Sequence, residues 1–128
     1  VTWLLDTNTV IALFKGEAEV WARIDGLAQD TCLLPSIVIY ELYYGASKSQ
    51  RREANLDRIE KLRFAVVDFD REDARAAGEI RAGLEITGTP IGAYDILIAG
   101  PALSRGYTLV TRNLREFERV AGLKLERW

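Results

Sequence analysis

The change of hydrophobic period at Asp6 does most to limit what this chain can become. Trp3 to Leu5 is a short continuous apolar run, and Asp6 ends it. Beyond it, Val10, Ile11, Leu13 and Phe14 recur at the spacing of one helix face. Thr7, Asn8 and Thr9 are residue types favoured at helix N-caps. The chain therefore opens as a buried strand feeding a helix, with a carboxylate at the strand's C-terminal end. In open parallel sheets ligands sit in the crevice at that edge.

The same alternation continues. Ala18 to Leu27 reads as a helix, Thr31 to Leu34 as a strand closed by Pro35, and Ile37 to Ala46 as a helix capped by Ser36. Lys48 to Phe64 reads as one long charged helix, and Ala65 to Phe69 as a strand. Asp70, with Asp73 three residues on, caps a helix over Arg71 to Thr87. Gly92 to Arg105 is a further helix with Gly106 as its C-cap, followed by a strand over Tyr107 to Val110. Leu114 to Val120 is a helical turn and Leu123 to Trp128 a last edge strand. Strands separated by helices imply an α/β fold, a three-layer α/β/α sandwich on a central parallel sheet. At 128 residues the expectation is a single domain spanning 1–128.

Composition removes several chemistries. There is no histidine, which excludes imidazole acid–base catalysis, Ser-His-Asp and Cys-His nucleophiles, and His-rich zinc sites. The one cysteine, Cys32, makes no internal disulfide, which fits a reducing cytoplasm. Any bound metal must take oxygen ligands, which points to Mg²⁺ or Mn²⁺. No run approaches the ~18 apolar residues of a membrane helix, and Asp6 interrupts the only early apolar run, so no secretory signal is expected. The net charge of −2 is poor for coating nucleic acid but leaves room for a local basic groove.

Carboxylates stand in unusual company. Glu41 is the only charge in Ile37 to Tyr44, and Asp95 the only charge in Ile91 to Ala99. Both helices read as buried nearly all round. No Lys or Arg lies within four residues of Asp6, Glu41 or Asp95. Each taken singly also suits a cap or a buried arginine partner. Together they point to one place, because an isolated buried carboxylate costs several kcal/mol and a shared divalent cation offsets that cost. After the fourth strand, Thr111, Asn113 and Glu116 open on the same crevice: Glu116 adds a fourth acid, and Thr111 and Asn113 suit the orientation of water or a ligand carboxylate. Asp68, Asp70 and Asp73 read as caps and solvated charge, and Tyr40, Tyr43, Tyr44 and Tyr94 as core or interface.

Four segments then carry a resemblance: Leu5 to Asn8, Glu41 to Ala46, Pro90 to Asp95, and Leu109 to Val120. In this order and at these spacings they resemble the VapC toxins of the PIN-domain ribonucleases, over essentially the whole chain. The resemblance implies Mg²⁺- or Mn²⁺-dependent cleavage of structured RNA such as tRNA or rRNA loops, leaving 5′-phosphate and 3′-hydroxyl ends. It also implies a VapB-type antitoxin as partner, a homodimer, and a cytoplasmic location. Carried over by motif, Asp6, Glu41, Asp95 and Glu116 take the acidic places and Thr111 and Asn113 the polar support.

Two positions depart from the pattern. Ala93 stands where relatives often have proline, and Pro101 where they often have histidine. Pro101 inside the helix predicts a bend or an early end near Gly100. RNA approaching an acidic pocket needs nearby positive charge. Lys48, Arg51 and Arg52 form one such set within Lys48 to Arg63, and Arg105, Arg112, Arg115 and Arg119 another, with Arg112 and Arg115 beside the crevice. Two other functions fit the fold: an impaired PIN domain kept as an antitoxin-binding module, and a phospho-receiver domain using Asp68. Receivers resemble one another in paired acids after the first strand, and Asp6 has no acidic neighbour.

Overall fold

The computed structural model describes residues 1–28 and 30–128. Five short strands, β1 (Trp3–Leu5), β2 (Cys32–Pro35), β3 (Ala65–Val67), β4 (Thr108–Val110) and β5 (Lys124–Glu126), form one all-parallel sheet in the order β3-β2-β1-β4-β5. The helices are α1 (Thr7–Phe14), α2 (Ala18–Asp25), α3 (Ser36–Lys48), α4 (Arg52–Glu60), α5 (Arg71–Ile86), α6 (Ala93–Arg105) and α7 (Leu114–Phe117). Leu4, Leu5, Leu34, Leu109 and Val110 in the central strands are fully buried. That is why these strands read as unbroken apolar runs: both faces of a parallel sheet are covered by helices.

The chain passes from β1 to β2 and β3 on one side, then crosses back to β4 and β5 on the other. Right-handed crossovers place the helices of the two halves on opposite faces. The result is the expected α/β/α sandwich, and the reversal of direction falls between β1 and β4. The crevice beyond their C-terminal ends is therefore the natural ligand site, and Asp6 and Thr111 each follow directly on one of these strands. Among the described residues no helix is long and apolar enough to cross a membrane.

Several local expectations need correction. Asp6, not Thr7 to Thr9, caps α1: it is extended and its side chain accepts from the Thr9 amide. The helix expected over Lys48 to Phe64 is two helices. Ser49 turns extended after α3, and its hydroxyl accepts from the Arg51 amide and Asn55 Nδ2, which stabilises the turn against continued helix. Ser36 is the first residue of α3 rather than its cap, which is Pro35.

No break occurs at Pro101. Helix α6 runs on to Arg105 and ends at Gly106 in the left-handed conformation, φ 67°. The cost of the proline is offset by packing against α5. A Cβ on Gly100 would stand 2.8 Å from the Asp73 carbonyl oxygen and 2.9 Å from Ala77 Cβ, so α5 and α6 meet backbone to backbone at this glycine.

Asp73 is not solvated charge. It is 1% exposed and closes a reciprocal capping box with Asp70. Arg105 Nε donates to its Oδ1 at 3.2 Å and Nη2 to its Oδ2 at 2.9 Å, and Ser104 Oγ donates to Oδ1 at 2.6 Å. Burial works against the charge, but the bonds from Arg105, the Asp70 amide and Ser104 outweigh it and hold this carboxyl below its ordinary range.

Candidate functional site

Asp6 is 5% exposed, and each of its oxygens has a partner. Oδ1 accepts from the Thr9 amide at 2.9 Å, the helix-cap bond. Oδ2 accepts from the Thr111 hydroxyl at 2.5 Å. Thr111 is itself fully buried, and its oxygen accepts from the Asn113 amide at 2.9 Å. That bond uses one lone pair of the hydroxyl, while its proton goes to Asp6. Thr111 thus holds one oxygen of Asp6, and Asn113 holds Thr111 through its backbone N–H. Thr9 Oγ1 donates to the Val110 carbonyl at 3.2 Å and the Asp6 amide to the same carbonyl at 3.0 Å, which ties the two strand ends together.

Glu41 reaches the same crevice from α3, where Thr7 Oγ1 donates to its Oε1 at 2.8 Å. The role of Thr7 was not foreseen. The available signal was its place directly after Asp6, which puts its side chain on the first turn of α1. Asp95 lies in the first turn of α6, where the helix N-terminus favours a negative charge. Glu116 approaches it from the short helix α7. Burial, the charge of Glu116, the charge of Asp6, a hydrogen bond shared with Glu116, and the charge of Glu41 together push the Asp95 carboxyl up to about 6. Acids distant in sequence therefore lie near enough to Asp95 for their charge to bear on it.

Among the described residues no Lys or Arg lies within 4.0 Å of any of these four carboxylates; every charged pair is elsewhere. No three acidic or cysteine side chains among the described residues already enclose one ion. The four surround the crevice without closing on a single point. Even so, the donor set is all oxygen and the repulsion felt by Asp95 is what a hard divalent cation relieves, so the residues fit Mg²⁺ or Mn²⁺ in kind.

The basic residues divide differently from expectation. Arg112 is held by two partners: Nη1 pairs with Glu17 at 2.9 Å and Nη2 donates to the Trp128 carbonyl at 3.2 Å. Its Nε is buried without a hydrogen-bond partner among the described residues, so Arg112 ties the loop after β4 to Glu17 and to Trp128. Arg105 is committed to Asp73, and Arg119 Nη1 donates to the Pro90 carbonyl at 2.8 Å. Arg115, Arg51 and Arg52 are exposed, and Lys48 is exposed over the ring of Tyr44.

Helix α3 is not buried all round. Val38, Leu42 and Ala46 face the core, while Tyr40, Tyr43 and Tyr44 are exposed; Tyr94 on α6 is exposed too, so none of the four tyrosines is core.

A strand order that reverses between β1 and β4, with the carboxylates of Asp6 and Asp95 at the crevice there, defines a doubly wound α/β domain with an acidic sheet edge. The PIN domain model matches residues 3–123. The tRNA(fMet)-specific endonuclease VapC of Salmonella typhimurium is 44% identical over 98% of this chain and 97% of its own length. The protein of the same name from Shigella flexneri is 46% identical with the same coverage. In the crystal structure of VapBC2 from Rickettsia felis bound to a DNA fragment from their promoter, the matching chain superposes with a TM-score of 0.94 at 36% identity, covering 100% of this chain and 99% of that one. The chain belongs to the PIN-domain family, in its VapC branch. The receiver alternative falls with this assignment, and Asp68, its phosphoacceptor, follows the edge strand β3 rather than a central one.

Proposed function

We propose that this protein is the endoribonuclease toxin of a VapBC-type pair, acting in the cytoplasm as a homodimer on the unpaired loops of structured RNA such as tRNA or rRNA. The observation that carries this reading is the charge that Asp6, Glu41 and Glu116 exert on Asp95, with no Lys or Arg among the described residues within 4.0 Å of any of the four. Such a set is costly to keep and serves a reaction at a phosphate when a divalent ion joins it.

Asp6, Glu41, Asp95 and Glu116 would hold Mg²⁺ or Mn²⁺, which when bound makes a water more acidic and neutralises charge on the phosphate. Thr111 and Thr7 fix the carboxylates of Asp6 and Glu41 by donating to one oxygen of each. The absence of histidine leaves no imidazole pair for a route through a 2′,3′-cyclic phosphate, so hydrolysis giving 5′-phosphate and 3′-hydroxyl ends is the chemistry these residues support. Arg115 is the exposed cation nearest in sequence to the acidic set and suits a phosphate of the substrate.

The apolar groove of about 260 Å³ lined by Ile11, Phe14, Leu42 and Ile59, with Thr7 and Glu41 at its wall, suits an antitoxin segment. A helix or strand of a VapB-type partner seated there would also cover Glu41.

The test is cleavage of tRNA with Mg²⁺ or Mn²⁺ against excess EDTA, with Asp95→Asn alongside. Cleavage should need the ion and disappear in the variant. Undiminished cutting in EDTA, or by Asp95→Asn, refutes the assignment; metal binding with no turnover by the wild type favours the impaired, antitoxin-binding form instead.

A further inference from the structure

Two helices of this chain carry an aspartate at the third helical position, and their starts are built differently. In α5 the N-cap is Asp70 and the third residue is Asp73. The Asp70 side chain accepts from the Asp73 amide, and the Asp73 carboxylate accepts from the Asp70 amide, each at 2.9 Å. Such a reciprocal box satisfies amides that the helix itself leaves unpaired. In α6 the N-cap is Gly92 and the third residue is Asp95. Gly92 has no side chain with which to close a box.

The backbone does not ask for glycine at this place. Gly92 has φ −58° and ψ 150°, a conformation open to any residue. Serine, asparagine and aspartate are the types a helix start favours there. What separates position 92 from an ordinary cap is its neighbour. A Cβ on Gly92 would stand 3.4 Å from Asp95 Oδ2 and 3.9 Å from its Cγ, so any side chain would lie against the carboxylate. Arg119 Nη1 donates to the carbonyl of Pro90 at 2.8 Å. That bond ties the segment leading into α6 to the segment after α7 and resists a shift that would make room.

On the ribonuclease reading above, we propose that Gly92 is a positioning residue for the divalent ion: its missing side chain leaves the Asp95 carboxylate uncapped and open to an ion with its shell of water. A serine at this position would make the start of α6 the counterpart of the start of α5. Its hydroxyl would accept from the Asp95 amide, and the Asp95 carboxylate would turn back to the amide of residue 92. One carboxylate oxygen would then be committed to the helix, with a methylene group crowding the approach to it. Helix capping and ion binding compete for one side chain, and glycine decides for the ion. The two effects carry opposite signs: a cap stabilises the metal-free fold and weakens the binding of metal.

The experiment measures Mn²⁺ binding by isothermal titration calorimetry and urea denaturation in EDTA, so that the second readout needs no ion. Gly92→Ser should raise the urea midpoint by about 0.2–0.5 M and weaken Mn²⁺ binding about 10- to 100-fold. Its RNA cleavage should be lost at low Mn²⁺ and recovered at high. Gly92→Ala brings the methyl group without the capping oxygen; it should not raise the midpoint and should keep more of the affinity than Gly92→Ser. Gly83→Ala, exposed on α5 with nothing within 4 Å of the added Cβ, should raise the midpoint as a helix-favouring change and leave the affinity at the wild-type value. Equal affinities in Gly92→Ser and Gly92→Ala refute capture by the cap. Wild-type affinity in Gly92→Ser, or a midpoint in EDTA below that of the wild type, overturns the proposal. If the wild type neither binds Mn²⁺ nor cuts RNA, the ribonuclease reading fails and this inference with it; if the wild type does both and Gly92→Ser matches it, only the role of Gly92 is refuted.

Discussion

Removing the charge of Asp95 should make the metal-free protein more stable. Its carboxyl is pushed from 3.8 up to about 6 by burial and by Glu116, Asp6 and Glu41. A folded-state value above the unfolded one means that the folded chain holds this proton more tightly. The associated stability is present in full below about pH 4 and is lost as the pH rises through 6. The difference is about two units, and one unit is worth about 1.4 kcal/mol, so ionised Asp95 costs the fold up to about 3 kcal/mol at neutral pH. An asparagine keeps the size and removes the repulsion but leaves an amide half-buried, so the expected gain for Asp95→Asn is about 2 kcal/mol at pH 7–8. Urea denaturation in EDTA across pH 4–8 measures it. The gain should shrink towards zero at pH 4, where the wild-type side chain is already neutral. Adding Mg²⁺ should stabilise the wild type and not the variant, because only an ion bound to the folded form shifts the equilibrium. A gain that does not depend on pH, or a variant less stable than the wild type at pH 8, would show that the acids do not repel one another in the fold.

Two further expectations rest on single contacts. Arg105→Met leaves Asp73 buried with only Ser104 and the Asp70 amide as donors and should cost about 2–3 kcal/mol at neutral pH. Because Asp73 titrates below its ordinary range, its paired charge contributes stability above about pH 4 that is lost as the pH falls further; a loss in the variant that persists undiminished in acid, followed by circular dichroism, would contradict this. Thr111→Val keeps the shape but leaves Asp6 Oδ2 and the Asn113 amide without their partner. It should lower stability by about 1–3 kcal/mol and RNA cleavage about 10- to 100-fold, with Thr111→Ser near wild type; full cleavage by the valine variant would remove Thr111 from the site.

Much of the fold could be read in order because a parallel sheet writes itself plainly. Buried strands are continuous apolar runs, and the amphipathic helices between them show their period. The errors fell where short-range preference met a tertiary contact. The helix-breaking tendency of Pro101 was outweighed because Gly100 lets α6 lie directly on α5, and propensity is a weaker force than a long packed interface. Asp73 looked like surface charge because its partners lie 31 and 32 residues away. The ion pair of Arg112 with Glu17 joins distant parts of the chain and leaves no mark in the sequence near either residue.

Sequence alone determined the chemistry on offer: oxygen ligands without imidazole, and three carboxylates in apolar segments with no nearby cation. It could do so because the cost of burying a charge depends on neighbours along the chain as well as in space. Only the tertiary structure decided which acids meet, which hydroxyls hold them, and which arginines and tyrosines remain free. Those outcomes depend on strand order and helix crossing, which bring residues from opposite ends of the chain within a hydrogen bond of each other.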